Sequence, residues 1–596
     1  MSNFEKKLKR RQARFKPKST KESTFEKRYD TSIQISKNKR AQNLRKRRNI
    51  SSVLKNKTNS LFTDEEINKK LKNLSSYANA LQSNDRSVYF PALREIRILL
   101  SLEKNPPLDK VIELGVTPYL VEFLKCDNDK SLQYEAVWCL TNLASGTPEQ
   151  TKLVVDLETI PIFVKLLDSE NEAIQEQSVW ALGNIAGDCI EYRDLVLSYN
   201  VIEIFLKIFK TKKRVAIIKT TTWSLYNLCS GKPKPKFELI KPAISILAKL
   251  VKVNHRSIVV DACWAISCIS EGSNKYIQAI LDTEVCPTLV ELLKMKSLQI
   301  RAPALRCIGN FVTGNDKQTD IVLQCDVLPT LKDMILTGSS ITRKEACWAI
   351  SNICAGVTSQ IESVIIAGFV PILLKILKQD IYPVQKEAAW GISNMIYGGL
   401  PTHVRYLVKH GVIARLCDLL TIKDQRILKA TLESIEKILR LGKQDAEAKK
   451  SRINASGIEF EASGGYEKIQ KLLQHPSPDV HRRASFLLLH YSQNSSDSSS
   501  LSDDDYDDYD DDDDYDDDED EVSEEDNFHY ETNFQEIKSF STQNSNSFFD
   551  RSDQEDEFSE EEDFEDDENN NNNNNNDTTD EENNDQCVKN LEEEEF

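Results

Sequence analysis

The sequence predicts an all-α solenoid of about ten stacked helical units, and three observations carry that prediction. All six tryptophans fall on one register: Trp138, Trp180, Trp223, Trp264, Trp348 and Trp390 follow one another at steps of 41 to 43 residues, with Arg306 filling the one step that lacks an indole. Four residues after most of these positions stands an asparagine, at Asn142, Asn184, Asn227, Asn310, Asn352 and Asn394. Between them apolar residues recur at helical spacing, and no stretch sustains the alternation of a strand. Repeats of about 40 to 47 residues mark stacked helical units, each too small to bury its own apolar face alone.

Residues 1–58 hold 20 Lys and Arg against 4 acids, concentrated in Phe4 to Lys16 and Lys39 to Asn49. Apolar residues are too few there for a core, so the segment is expected to be disordered when free and partly helical when bound. Two uses stay open: binding nucleic acid or an anionic membrane through charge alone, or acting as a ligand for the chain's own repeat array. The helical pattern begins near Leu71. Segments such as Ile160–Leu167 and Val370–Leu377 have buried-helix spacing with proline near the start, where a first helical turn tolerates it. Each unit continues through a short polar connection, such as Asp168–Glu172, into a longer helix bearing the Trp/Asn pair. It closes on a glycine-containing stop, such as Ala144-Ser145-Gly146.

Counted outward at the same step, Ile96 and Leu432 take the tryptophan place of a first and a ninth unit, and Leu100 and Glu436 take the asparagine place. Units that lack the polar pair suit the ends of a stack. A last unit runs from Tyr466 to Leu489, and the core is expected to end near residue 495. Residues 59–495 carry a net charge of +7, whereas residues 496–596 hold 44 acids against 3 bases and an asparagine run from Asn569 to Asn576. That tail cannot bury enough surface to fold and reads as a solvating segment. Within it Ser523 and Ser559, each followed by acids, resemble sites of acid-directed kinases.

Several function classes find no foothold. The 13 cysteines form no CxxC pair and stand near no histidine at metal-ligand spacing, so they read as reduced thiols packed in helices of an intracellular protein. No apolar run reaches about 18 residues and the N-terminus is polar, which argues against a membrane span and a secretory leader. Phosphate-loop, GxSxG and HExxH patterns are missing and the seven histidines are scattered, so no catalytic residue, cofactor or metal is expected.

The chemistry of the ladder is more specific. Trp at i and Asn at i+4 share one helix face, so stacked units present parallel rows of indoles and amides. Indoles form slots for the aliphatic stems of Lys or Arg and attract their charge by about 0.5–2 kcal/mol each. Amides can hold an extended backbone whatever its side chains. Asp188, Asp261, Glu345 and Glu387 lie beside the rows and add negative charge. The combination selects an extended basic peptide.

These residues resemble the importin-α family of nuclear-import adaptors, through the WxxxN ladder and an N-terminal basic segment ending in Leu44-Arg45-Lys46-Arg47-Arg48-Asn49. The likeness spans roughly residues 4–495. It implies an armadillo-repeat, right-handed superhelical solenoid at 59–495, a basic importin-β-binding, autoinhibitory segment at 1–58 carried by Arg14, Lys16, Lys46, Arg47 and Arg48, and an acidic tail at 496–596. It implies a major site for nuclear localisation signals at Trp138, Asn142, Gly146, Thr151, Trp180, Asn184, Asp188, Trp223 and Asn227. A minor site is implied at Arg306, Asn310, Val312, Thr313, Glu345, Trp348, Asn352, Glu387, Trp390 and Asn394. The implied partners are importin-β, proteins with mono- or bipartite basic signals and an export receptor of the CAS type, with no membrane and no direct nucleic acid. The implied localisation is shuttling between cytoplasm and nucleus through the pore. The competing readings are an armadillo scaffold, or a chromatin- or nucleic-acid-associated protein, outside transport. The chain departs from the family at Cys268, where Tyr is common, at Glu271, where Asp is usual, and at Phe25 to Asp30, where the family has a denser arginine run.

Overall fold

In the computed structural model, residues 64–102, 105–212 and 214–491 are described, and among them the chain is helical with turns and no strand. Ten helices form the ladder: α1 (Arg86–Leu100), α2 (Lys130–Leu143), α3 (Glu172–Ala186), α4 (Val215–Cys229), α5 (Arg256–Ser270), α6 (Leu298–Phe311), α7 (Ser340–Cys354), α8 (Tyr382–Gly398), α9 (Gln425–Ala448) and α10 (Pro478–Tyr491). Each packs on the next, α1 on α2 through α9 on α10, which makes the array a solenoid. The expected ten units are therefore present, and Ile96 and Leu432 sit fully buried in α1 and α9 where indoles would otherwise stand. The bent pair Thr358–Ile366 and Phe369–Gln379 lies within this stack, and no single described helix is long and apolar enough to cross a membrane.

Local chemistry sets each unit's geometry. Two shorter helices precede most ladder helices, as Pro148–Asp156 and Thr159–Leu166 precede α3. At their junction the backbone turns through a left-handed residue: Gly115, Glu158, Asn200, Glu284, Asp326, Gly368, Gly411 and Gly464, with φ between 54° and 81°. Only glycine takes this conformation without a steric cost, so the corner is imposed on Glu158 and Glu284 by the packing on either side. Ladder helices then start on side-chain caps. Asp129 accepts from Leu132 N–H (3.1 Å), Asn171 from Ala173 N–H (3.0 Å), and Asp424 from Arg426 N–H (3.1 Å). The polar connections expected between units are these caps.

The ladder asparagines tie neighbouring helices together. Asn184 Nδ2 donates to Thr141 O (3.0 Å), Asn227 to Gly183 O (3.0 Å), Asn310 to Ser267 O (3.0 Å) and Asn394 to Ser351 O (2.9 Å). Each bond joins one ladder helix to the one before it. Asn142 does the same through Ser101 Oγ (3.0 Å), whereas Asn352 Nδ2 makes no such bond. Tryptophan also needs room on the preceding helix. A Cβ on Gly183 would lie 2.7 Å from Trp223 Cζ3, and one on Gly309 would overlap Trp348 Cζ3. Gly309→Ala is therefore expected to destabilise the fold by about 1–3 kcal/mol through overpacking. Gly391→Ala, whose Cβ meets Leu373 at an ordinary 3.5 Å, should be neutral or slightly stabilising. Urea unfolding midpoints of the two variants check the contrast.

Candidate functional site

The ladder brings the predicted residues onto one face. Trp180 and Trp223 are adjacent, with ring centroids 6.1 Å apart and planes at 52°. Neither ring carries a cation among the described residues; Trp180 is half-buried and Trp223 is buried. Gly187 packs so closely that a Cβ there would lie 3.1 Å from Asn227 Nδ2, which sets the neighbouring Asp188, partly buried, beside the amide row of the next unit. The indole N–H groups of Trp138, Trp180 and Trp223 and the Oδ1 atoms of Asn142 and Asn394 are shielded yet unpartnered. Buried polar atoms normally find partners, so this row of orphans marks a face built to receive one.

The ends of the two stretches are filled differently. Arg97 lies with its guanidinium carbon 4.5 Å from the Trp138 ring centre while its Nε donates to Glu135 Oε2 (2.7 Å). Arg306 repeats the arrangement: its guanidinium carbon is 5.6 Å from the Trp348 ring and its Nη2 contacts Glu345 Oε1 (3.4 Å). Glu345 is thus a partner of Arg306 rather than a free carboxylate. Pro303 occupies the place, three before the tryptophan position, that Glu345 and Glu387 hold in their units, so the sixth unit lacks both indole and acid. Arg97 and Glu135 escaped the sequence reading, although Glu135 also stands three before a tryptophan and that spacing identifies it.

The remaining candidates divide. Thr151 is fully buried and its Oγ1 donates to Ala144 O and Thr147 O (both 3.2 Å), so its hydroxyl shapes the loop after α2. Gly146 is required in that loop, because a Cβ would overlap Gln150 Oε1, which accepts from Thr147 N–H (2.9 Å). Val312 is fully buried at the end of α6, leaving its backbone for contacts, and Thr313 Oγ1 donates to Asn310 O (2.6 Å). Trp264 and Trp390 are half-buried on the ladder face, and Asp261 is buried. Cys268, in the asparagine place of α5, cannot supply an amide. Arg14, Lys16, Lys46, Arg47 and Arg48, like Ser523 and Ser559, lie outside the described residues.

Glu271 follows α5 and pairs with Lys234 from the preceding connection, Nζ to Oε2 at 2.9 Å. Burial pushes the Glu271 carboxyl up, but the Lys234 charge and then its hydrogen bond outweigh it and hold the carboxyl below the usual range. A carboxyl lowered on folding contributes stability above its unfolded value of about 4.3, and loses it as pH falls through the folded value. Lys234→Met should cost about 1–3 kcal/mol at neutral pH, since Glu271 is left without its partner. That penalty should shrink below about pH 4, where the lone carboxyl takes up a proton. Urea unfolding of both proteins across pH 3 to 7 reads the two slopes, about 4 pH units being enough to bracket the transition.

Comparison with known proteins agrees with the geometry. The family described as Armadillo/beta-catenin-like repeat matches residues 104–145, 147–187, 273–313, 315–355 and 358–397, and the Importin beta binding domain family matches residues 11–94. Importin subunit alpha-B of Dictyostelium discoideum is 48% identical over 483 residues, 81% of this chain and 93% of its own. Importin subunit alpha-2 of Arabidopsis thaliana is 43% identical over 491 residues, 81% of this chain and 91% of its own. An engineered protein of known crystal structure superposes with a TM-score of 0.62 at 25% identity, over 70% of this chain and 98% of that one.

Proposed function

The chain belongs to the importin-α family, nuclear-import adaptors rather than enzymes, and from that premise we propose that its ladder reads basic nuclear localisation signals and its N-terminal segment links the cargo to importin-β. The observation that supports this most directly is the adjacency of the Trp180 and Trp223 rings on the face that also carries Asn184, Asn227 and Asp188. A lysine stem fits between the indoles, its ammonium reaches Asp188, and amide groups not committed to the neighbouring helix hold the peptide backbone. The major site is Trp138, Asn142, Gly146, Thr151, Trp180, Asn184, Asp188, Trp223 and Asn227, with Gly146 and Thr151 acting through the loop they shape. The minor site runs from Arg306 to Asn394, through Asn310, Val312, Thr313, Glu345, Trp348, Asn352, Glu387 and Trp390. Bipartite signals gain from linking the two stretches.

In this reading residues 1–58 form an importin-β-binding segment, 59–495 the repeat domain and 496–596 an acidic tail. Lys46-Arg47-Arg48 resembles a cargo signal and is tethered to the face that reads such signals. Tethering gives it a local concentration on the order of millimolar, enough to exclude weak cargo until importin-β removes it. Release in the nucleus through an export receptor of the CAS type, and shuttling through the pore, complete the cycle. Trp180→Ala is expected to weaken a lysine-rich signal peptide about 2- to 30-fold, and Asp188→Lys at least as much, by fluorescence anisotropy. Deleting residues 1–58 should tighten the same peptide and abolish the importin-β complex. Unchanged peptide affinity after the deletion would remove autoinhibition from the mechanism.

A further inference from the structure

The first residues of the ladder helices change character along the array. In α2, α3, α5 and α9 they are polar or small: Lys130-Ser131, Glu172-Ala173, Arg256-Ser257 and Gln425-Arg426. In α6, α7 and α8 the same edge is apolar. Leu298, Ile341 and Tyr382 are the first or second helical residues there, Met295, Leu336 and Ile381 stand shortly before them, and all six are 39% to 56% exposed. They are six of the fifteen large apolar side chains exposed among the described residues, gathered where three consecutive helices begin. Arg343 of α7 donates through Nε and Nη2 to Asp380 (2.8 Å each), one residue before Ile381, so the α7 and α8 pairs are neighbours. Exposed apolar surface that clusters in this way, over a few hundred Å², marks an interaction site.

The charge around the edge is mainly of one sign. Glu291 is held by Lys294 (2.6 Å), Asp380 by Arg343 and Asp424 by Lys386 (2.6 Å). Asp333 is unmatched, but so are Arg256, Lys296, Arg301, Lys378 and Lys423, which make no ion pair among the described residues. Arg301 Nε and Ser297 Oγ, on either side of Leu298, are buried without a partner. A side-chain rotation of the kind interfaces commonly induce turns both toward an incoming acceptor. The edge therefore suits a partner that is apolar and acidic at once. A second copy presenting the same edge would set these cations against their own counterparts.

Spacing says how the partner is built. Packed helices stand about 8–10 Å apart and an extended chain advances about 3.3 Å per residue, so one side chain in three meets each helix start. A helical partner returns to one face about every 5.4 Å and falls out of step. The chain so placed crosses the ladder helices seven or eight residues before the positions of Arg306, Trp348 and Trp390, about 11–12 Å from the indole row.

We propose that the starts of α6, α7 and α8 form a second docking edge, which takes an extended acidic segment of a partner protein with a large apolar residue at every third position. The edge is separate from the indole row, so the chain holds this partner and a basic ligand at the same time.

The test uses the full chain and a fluorescent synthetic peptide with leucine at every third position and aspartate or glutamate between. Anisotropy should show saturable binding that weakens at least about tenfold in Ile341→Ser/Tyr382→Ser and in Lys296→Glu/Lys378→Glu, whose sites are all exposed. A peptide of the same composition with its leucines consecutive should also bind about tenfold more weakly. Trp180→Ala should leave the binding unchanged, which keeps the outcome independent of the ladder reading. Absence of saturable binding, equal binding of the two peptides, or binding that survives both double variants overturns the edge. Pelleting with phosphatidylserine vesicles, or dimerisation in analytical ultracentrifugation, overturns it as well if Ile341→Ser/Tyr382→Ser abolishes the effect, by assigning the edge to a membrane or to a second copy.

Discussion

A buried asparagine amide that donates to a backbone carbonyl one unit earlier is the interaction on which the rest of this structure depends. The carbonyls of Thr141, Gly183, Ser267 and Ser351 lie in the last turn of their helices, and those of Gly183, Ser267 and Ser351 already accept from the N–H of Gly187, Glu271 and Ala355. A second donor from the next helix fixes the stagger between ladder helices to within a fraction of a helical turn. Apolar contacts bring the helices together but leave them free to slide, because dispersion and burial are nondirectional. The amide fixes the register. In α3, α4 and α8, which it aligns, the indole sits on the same face one turn before the amide, and Gly183 and Gly309 supply the space that Trp223 and Trp348 need.

Much of this was legible in the residues because a solenoid writes its geometry as a period. The unit count, the capping of both ends by apolar residues at Ile96 and Leu432, and the shared face of Trp and Asn all follow from spacing alone. What did not follow was the occupancy of that face. Glu345 looked like a free acid until Arg306 was placed beside it, because a partner 39 residues away has no sequence mark beyond its own offset. The asparagines looked like dedicated ligand groups, since sequence shows which side an amide faces but not which of its hydrogens is already spent. The left-handed corners at Glu158 and Glu284 were likewise invisible: a glycine announces such a corner, and a glutamate forced into it by packing does not.

Charge on the ladder face is local, so the net positive charge of the array is compatible with the basic ligand proposed for it. Arg97 and Arg306 are absorbed by Glu135 and Glu345 and stacked on indoles, and Lys234 is absorbed by Glu271. The Trp180–Trp223 slot lies between these neutralised points and adjoins Asp188. An approaching cation responds to the groups within about a Debye length of 8 to 10 Å, not to the sum over the repeat domain.

The double employment of the asparagines has a consequence for how such a protein can change over time. A residue that only contacts a ligand can drift once the ligand is lost, and one that only supports the fold can be replaced by any equivalent support. In the proposed function Asn184, Asn227, Asn310 and Asn394 are neither, since the amide assigned to the ligand also bonds to the preceding helix. Descendants that abandon one binding stretch are therefore expected to keep its amides and to lose its indoles and acids first, leaving a ladder that is structurally whole and chemically silent.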